Sequence, residues 1–496
     1  MWLSFSIALI VAVILLYWIL KFHYKHWERK KIFSPRPSLF YGNTSGKGHF
    51  WDIKILYETF KHKKPFFGFF FYIKPMLMIT DLDLVKNILI KDFQYFQNRG
   101  SFSNPKADPL TGHLINLEDE YWRNLRSKLT PVFSSGKMKY MFSSVRTIGD
   151  RLVEVLNDSI RENGNQTLEI EIKSLMSRFT IDVIGTTAFG IDCNTLKDPN
   201  SEFNKIGNDI FANGRGKISL FFIRLNLFNL SKILNLRINE KYIIDFFKNL
   251  VEQTIKYREE NNVTRKDFMD LLIDLKNSPN GLTFNDVLAQ CFVFFAAGYE
   301  TSSSTMTFTL YELAQNLSIQ TKVRNEINSI LAKYNGEISY EALSEMIYLD
   351  QVMNESLRLH TPAPAVFRVA NQDYKVPNTN FVIEKGTKIL IPYGEFHADP
   401  EYFPEPKIFD PERFNADNSK KRHSMAYLPF GDGPRSCIGM RFGKMESKIG
   451  IVLLLQNFKF SNSAKTKIPI EKCWNSPAVL QPVELSLKIE STVVKN

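Results

Sequence analysis

The chain has 496 residues, 44% hydrophobic and 13% aromatic, and its 63 Lys and Arg outweigh 52 Asp and Glu for a formal charge of +11. A prior of about 150 residues per domain points to roughly three domains, and this apolar content excludes disordered, collagen-like and small disulfide-stapled classes. Four cysteines, Cys193, Cys291, Cys437 and Cys473, stand far apart with no CxxC pair, which argues against a disulfide framework or a structural zinc site. The excess positive charge suits nucleic acid, an anionic membrane face or an acidic partner. No aromatic-interleaved RNA motif, zinc-finger spacing or basic tail supports nucleic acid.

From Trp2 to Leu20 no residue is charged. As a helix this run would be about 28 Å long, close to the roughly 30 Å hydrocarbon core of a bilayer. It lacks the basic start and small-residue end of a cleaved signal, closing instead on Tyr17, Trp18, Ile19 and Leu20. Lys21, Lys25, Arg29, Lys30 and Lys31 follow, opposed only by Glu28. The positive-inside rule places what comes after them in the cytoplasm, and Trp2, Trp18 and Trp27 are expected at the membrane interface. Pro35 and Pro37 end a basic linker because neither continues a helix. The expected division is a membrane anchor at 1–21, a linker at 22–39 and one body at 40–496.

Phe66 to Thr80 reads as strands broken by Gly68 and Pro75. Apolar spacing predicts helices over 82–91, 117–130, 137–162, 168–188, 240–261, 283–316, 319–333 and 340–359, with short strands between about 364 and 392. Residues 216–236, charged only at Lys217, Arg224 and Lys232, suit either a surface element dipping into a bilayer or a packed helix pair. No repeat or polar linker divides 40–496, so the length prior gives way to one large, mainly α domain with small β-sheets (α+β).

The stretch FGDGPRSCIG at 430–439 sets Cys437 after a Gly-rich turn and before a helix-patterned run through Phe442, Met445, Ile449, Val452 and Leu453. The turn lets N–H groups face the sulfur and the helix N-terminus favours negative charge there; both stabilise a thiolate. Such a thiolate is a nucleophile or a metal ligand. With no closely spaced Cys or His, a lone axial ligand fits better than tetrahedral zinc. Arg435 supplies a cation for an anionic cofactor edge. Glu355 and Arg358 lie i, i+3 on one helix face and can pair, and Trp122 and Arg126 lie i, i+4 on another. In the long segment from Thr283 to Asn316, with Thr283 as N-cap, Ala297, Gly298, Glu300 and Thr301 interrupt a bulky apolar face. A Thr hydroxyl bonded to the preceding turn bends a helix there.

Phe430, Gly433, Arg435, Cys437 and Gly439 match F-x-x-G-x-R-x-C-x-G, and in this the chain resembles the cytochromes P450. NESLRLH with Glu355 and Arg358, PERF with Arg413, Trp122 and Arg126 in W-x-x-x-R, and AGYET at 297–301 match further motifs in the family's order, so the resemblance covers the chain from about residue 34. It implies the P450 fold around heme b (iron protoporphyrin IX), with Cys437 as the iron ligand and Phe430 beside the cofactor. Trp122, Arg126, Arg435, Arg368 and Arg99 are implied at the propionates. Glu355, Arg358 and Arg413 are implied to hold the cysteine loop, and Thr301 with Glu300 to deliver protons toward bound dioxygen. The run Ser302 to Ser304 reads as simple helix surface.

The activity implied is that of a haem-thiolate monooxygenase placing one atom of O2 in a lipophilic substrate and the other in water. The chain carries no Gly-rich dinucleotide fingerprint, so electrons from NADPH would come through NADPH-cytochrome P450 reductase, with cytochrome b5 as a second donor. Arg435, Arg441, Lys444, Lys137, Lys139, Lys420, Lys421 and Arg422 offer a basic face for that donor. Two alternatives are a P450-fold isomerase or dehydratase, which has no need of Glu300 and Thr301, and a non-catalytic membrane haem-binding protein, which needs neither the relay nor the donor face. The wording of FFAAGYETSS, FQNRG and FGDGPRSCIG most resembles microsomal insect enzymes of the endoplasmic reticulum membrane that oxidise plant toxins, insecticides and other xenobiotics; endogenous lipids or hormones are the other substrate class. Selection of the substrate is expected at 100–120, at 205–230 with Phe211, Phe221 and Phe222, and at Ala363 to Phe367.

Overall fold

The computed structural model describes residues 2–164, 166–211, 227–476 and 478–492. Helix α1, Trp2–His23, buries none of its residues and is the one helix among the described residues long and apolar enough to cross a membrane. The basic segment after it docks on the body. Trp27 is 1% exposed, its Nε1 donates to the Phe69 carbonyl at 3.2 Å, and its ring stands 2.4 Å from where Gly68 would carry a Cβ. Trp27 is therefore a core residue, not an interfacial anchor, and the folded body takes in part of the segment read as linker.

Helix α2, His49–Phe60, leads to the hairpin of β1, Phe66–Phe71, and β2, Lys74–Ile79. Gly68 and Pro75 lie inside these strands, opposite Leu77 and Phe70, and do not break them. The reversal falls instead at Tyr72, whose φ is +51°. Gly68 is in a strand because the Trp27 ring occupies the place of a side chain. Helix α3, Leu82–Lys86, continues as a π-turn over Asn87–Lys91, filling the predicted 82–91.

Helices α4, Asp119–Leu129, and α5, Ser135–Glu162, follow the apolar spacing. The helix predicted from 168 opens instead as β3, Thr167–Glu171, before α6, Ile172–Ile184. TLEIE alternates as a strand does, and its partner is the distant C-terminal strand. Then come α7, Glu202–Phe211, α8, Lys241–Glu260, the unpredicted α9, Phe268–Asn277, α10, Phe284–Gln315, α11, Leu317–Lys333, and α12, Ile347–Leu359. The helix expected over 340–359 is broken at Met346, whose ψ of 77° separates Tyr340–Glu345 from α12. Strand β4, Val366–Val369, β5, Lys388–Ile391, helix α13, Tyr393–His397, α14, Met440–Asn457, β6, Phe458–Asn462, and β7, Ser486–Ser491, complete the chain.

The sheets are small, ordered β1-β2-β5-β4 and β3-β7-β6, with Tyr374–Lys375 pairing Val382–Ile383. One apolar core lies between the first sheet and α2, and a larger one surrounds α10. Helix α10 starts at a capping box, the Thr283 hydroxyl and the Asp286 carboxylate each taking the other's backbone N–H. It passes through the core against α6 and α14, and Gly450 lets α14 close on it, since a Cβ there would stand 2.7 Å from Met306 Sδ. Of the segment 216–236, residues through 226 lie outside the described residues; the rest includes the short helix Phe228–Ile233, with Leu230, Ile233 and Leu234 exposed.

Candidate functional site

The loop leading into α14 presents Cys437. Gly431 and Gly433 take φ of +66° and +73°, a left-handed conformation that glycine adopts without strain, and the Cys437 N–H donates to the Phe430 carbonyl at 2.9 Å. A Cβ on Gly433 would fall 1.9 Å from the Leu89 carbonyl oxygen, so the loop is seated against backbone that only glycine lets it approach. The far end of the loop is tied by His397, whose Nε2 accepts the Leu428 N–H at 2.9 Å while Nδ1 meets the Thr361 hydroxyl at 2.7 Å. Burial pushes the His397 imidazole well below its usual pKa, keeping it neutral and able to accept. Sequence reasoning missed His397, since a lone His in YGEFHADP carries no signature.

Behind His397 stands the expected carboxylate network. Glu355 and Arg358, both without exposed side-chain surface, form a two-point ion pair at 2.7 and 2.8 Å, and Arg413 Nε lies 3.4 Å from Glu355. Arg358 also donates to the His397 carbonyl at 2.8 Å. One carboxylate thus joins α12, the PERF turn and the tether of the cysteine loop.

Cys437 is itself exposed, though set in the body of the protein, and so are Ala297 and partly Thr301 in the middle of the otherwise buried α10. Exposure at the centre of a core marks an interior cleft. Thr301 Oγ1 donates to the Ala297 carbonyl at 2.7 Å, the back-bond expected of it. Burial pushes the Cys437 thiol up, while the Gly439 N–H, Arg126 and Arg99 pull it down. Of the anticipated nest of N–H groups the structure brings that of Gly439 to the sulfur, and burial outweighs it; a coordinated metal ion deprotonates a thiol outright.

Four guanidiniums gather on this cleft. Arg435 lies 4.0 Å over the Trp122 ring and donates to the Ile115 and Leu117 carbonyls at 3.4 and 2.7 Å; Arg99 donates to the Arg435 carbonyl at 3.2 Å. Arg368, 2% exposed in β4, feels the charges of Arg99 and Arg435, and Arg126 those of Cys437. Burial and the neighbouring cations Arg99 and Arg126 bring Arg435 down to about 9. Among the described residues no carboxylate ion-pairs with any of the four, and the Nε atoms of Arg99, Arg368 and Arg435 are buried without acceptors. Buried cations in this state call for an anion. Buried Tyr393 of α13 joins them, interacting with Arg99, Arg368 and Cys437, another residue without a sequence signal. A metal-bearing group with two carboxylates fits this donor set, and haem is such a group.

Three placements differ from expectation. Glu300 is 3% exposed and ion-paired with Lys173 at 2.9 Å, with the Ser304 hydroxyl on Oε1 at 3.1 Å. Ser302, Ser303 and Ser304 are buried between helices and are not helix surface. Arg435 is 3% exposed and so cannot belong to a docking face, while Arg422 is half-buried, stacked on Phe403 and Phe414; Arg441, Lys444, Lys420 and Lys421 remain exposed. In the substrate segments, the Phe211 ring meets Tyr299 edge-on at 5.8 Å, and Phe221 and Phe222 lie outside the described residues.

Comparison with known proteins agrees with the geometry. The family model for Cytochrome P450 matches residues 34–489. The chain is 44% identical over 486 residues to "Probable cytochrome P450 6a14" of Drosophila melanogaster, covering 94% of this chain and 95% of that protein. It is 41% identical over 499 residues to "Cytochrome P450 6a9" of the same species, covering 98% of each, and 42% identical over 476 residues to "Cytochrome P450 6A1" of Musca domestica, covering 93% and 92%.

Proposed function

This chain belongs to the cytochrome P450 family and is a monooxygenase, and from that premise we propose that it oxidises small lipophilic xenobiotics, plant toxins or insecticides among them, with electrons from NADPH. The overall reaction, RH + O2 + 2 H+ + 2 electrons giving ROH + H2O, takes up two protons for each product. The observation that supports this most is the accessible Cys437 and Thr301 beside four arginines, Arg99, Arg126, Arg368 and Arg435, that have no carboxylate partner among the described residues. Haem b bound through Cys437 supplies oxygen activation, because a thiolate pushes electron density that favours O–O cleavage.

The chain's residues hold and orient. Arg99, Arg126, Arg368 and Arg435, with the Trp122 indole, hold the two carboxylates, and Phe430 flanks the sulfur loop. Thr301, its hydroxyl anchored to Ala297, handles protons on the oxygen side, with the Lys173-paired Glu300 as its acidic neighbour. Aromatic side chains such as Phe211 wall a lipophilic ligand from water. Helix α1 anchors the protein in the endoplasmic reticulum membrane through residues 1–21, with the haem domain, 40–496, on the cytosolic side. NADPH-cytochrome P450 reductase, and cytochrome b5 beside it, dock on the face of Arg441, Lys444, Lys420 and Lys421.

The test is a reconstituted system of the full-length protein, reductase and NADPH, screened over terpenoids, steroids, fatty acids and insecticides for substrate-induced spectral shifts and NADPH-dependent products. Oxygenated product from insecticides or plant toxins is expected. Peroxide rearrangement without NADPH would favour an isomerase, and haem binding with no turnover on any compound would contradict the reading.

A further inference from the structure

The loop before α4, expected to select the substrate, meets the segment before α8 through side chains and backbone. The Phe102 ring stands edge-on to Phe228 at 5.6 Å. Asp108, fully buried, accepts the Ile238 and Asn239 N–H groups at 3.0 and 2.9 Å and the Asn239 side-chain amide at 3.1 Å. Between the same two segments runs a groove of about 460 Å³, with Asn104, Pro105 and Lys106 on one wall and Lys232, Ile233 and Asn235 on the other. None of the residues described around Cys437 lines it.

Two features of this groove call for an anion. Lys106 and Lys232 are exposed and enter no ion pair among the described residues, and no carboxylate lines the groove. The acid closest to Lys106 in the loop, Asp108, is committed to N–H groups across the contact. Asn104 is 6% exposed, and its amide NH2 is buried without an acceptor. A buried donor left unpaired costs free energy that an acceptor in the groove recovers. A further feature describes the rest of the ligand. Ile233 is 75% exposed, and Leu230 and Leu234 beside it are exposed as well. Bare aliphatic side chains next to unpaired lysines fit an amphiphile with an anionic head, and α1 brings the body of the protein to a surface made of such molecules.

We propose that the groove binds the head group of an anionic phospholipid, its phosphate between Lys106 and Lys232 and the Asn104 amide donating to a phosphate oxygen. The acyl chains lie along Leu230, Ile233 and Leu234. Bound there, the lipid ties the two walls together and reinforces the bonds of Asp108 to Ile238 and Asn239. Inorganic phosphate carries the same charge without the chains, and a fatty acid carries a chain with a carboxylate head. Only the phospholipid supplies both the phosphate and the apolar surface. The proposal takes from the proposed function only the anchoring by α1 and involves no step of the oxidation.

The experiment uses the full-length, substrate-free holoenzyme in nanodiscs of phosphatidylcholine, alone or mixed with phosphatidic acid, and reads hydrogen exchange at the Ile238 and Asn239 amides. Phosphatidic acid should slow that exchange several-fold. A lysine at an anionic lipid surface contributes about fivefold in affinity, so Lys106→Gln with Lys232→Gln should weaken binding roughly 30-fold and leave exchange at the phosphatidylcholine rate in both discs. Lys106→Arg with Lys232→Arg should keep the slowing, as should Lys21→Gln with Lys25→Gln, which removes the same charge beside the anchor. Exchange indifferent to phosphatidic acid, or slowing that survives in Lys106→Gln with Lys232→Gln, overturns the proposal. Equal slowing by inorganic phosphate or by oleate in phosphatidylcholine discs overturns the assignment to a phospholipid. Incorporation into the discs reports the anchoring and no turnover is read, so failure of the proposed function is distinguishable from failure of this site.

Discussion

Glu355→Ala is the perturbation whose cost follows most directly from geometry. The carboxylate has no exposed surface and accepts from Arg358 Nε and Nη2 at 2.7 and 2.8 Å and from the Asp410 N–H at 2.9 Å, with Arg413 Nε at 3.4 Å. Its removal leaves the Arg358 guanidinium, on a side chain with no exposed surface, without its close counter-charge. Removing one partner of a buried pair costs roughly 3–5 kcal/mol, because the other charge stays desolvated. That is a factor of about 150 to 5,000 in the folded-to-unfolded ratio, a large share of the roughly 5–15 kcal/mol available to a typical protein. Arg413→Ala removes the longer contact and a hydrogen bond to the Glu405 carbonyl at 3.1 Å but leaves the two-point pair intact, so about 1–2 kcal/mol is expected. Urea titration followed by loss of the haem Soret band measures both. A Glu355→Ala protein that releases haem at the wild-type urea concentration, or an Arg413→Ala protein as fragile as Glu355→Ala, would refute the reasoning.

Further outcomes follow from other contacts. Gly433→Ala, with φ at +73° and its Cβ 1.9 Å from the Leu89 carbonyl oxygen, should displace the cysteine loop and yield protein that retains little haem on gel filtration. His360, stacked on Phe308 and bonded to Glu312, has its pKa pushed down to about 4 by burial, from an ordinary 6.5. The unfolded chain therefore binds the proton first, and this contribution to stability, full above pH 6.5, is lost as pH falls toward 4. A melting-temperature series over that range should be shallower for His360→Gln; an unchanged slope would count against it. Charge reversal at Lys420 and Lys421 should raise the reductase concentration needed for half-maximal turnover and flatten its salt dependence, since exposed charges steer association over about a Debye length of 10 Å; turnover indifferent to both would remove this face from docking.

The constellation was legible because its parts are local: FGDGPRSCIG, the i, i+3 pair Glu355 and Arg358, and the small residues of α10 each lie within one turn or helix, where spacing fixes geometry. What the sequence hid depends on packing between distant segments. Trp27 looked like an interfacial aromatic until the missing side chain at Gly68 gave it a place in the core. Thr167–Glu171 alternates as a strand but runs straight into helically spaced residues, and the partner that settles it as a strand, Ser486–Ser491, is distant in sequence. His397 and Tyr393 carry no motif, and their roles come from what surrounds them: a backbone N–H and a cluster of cations.

The central claim is ligation of haem iron by the Cys437 thiolate, and the reduced carbon monoxide difference spectrum of the full-length protein tests it most directly. The red-shifted Soret band of thiolate ligation is expected in the wild type and absent from Cys437→Ser. A wild-type complex without that band, or a Cys437→Ser protein that keeps it, would contradict the account.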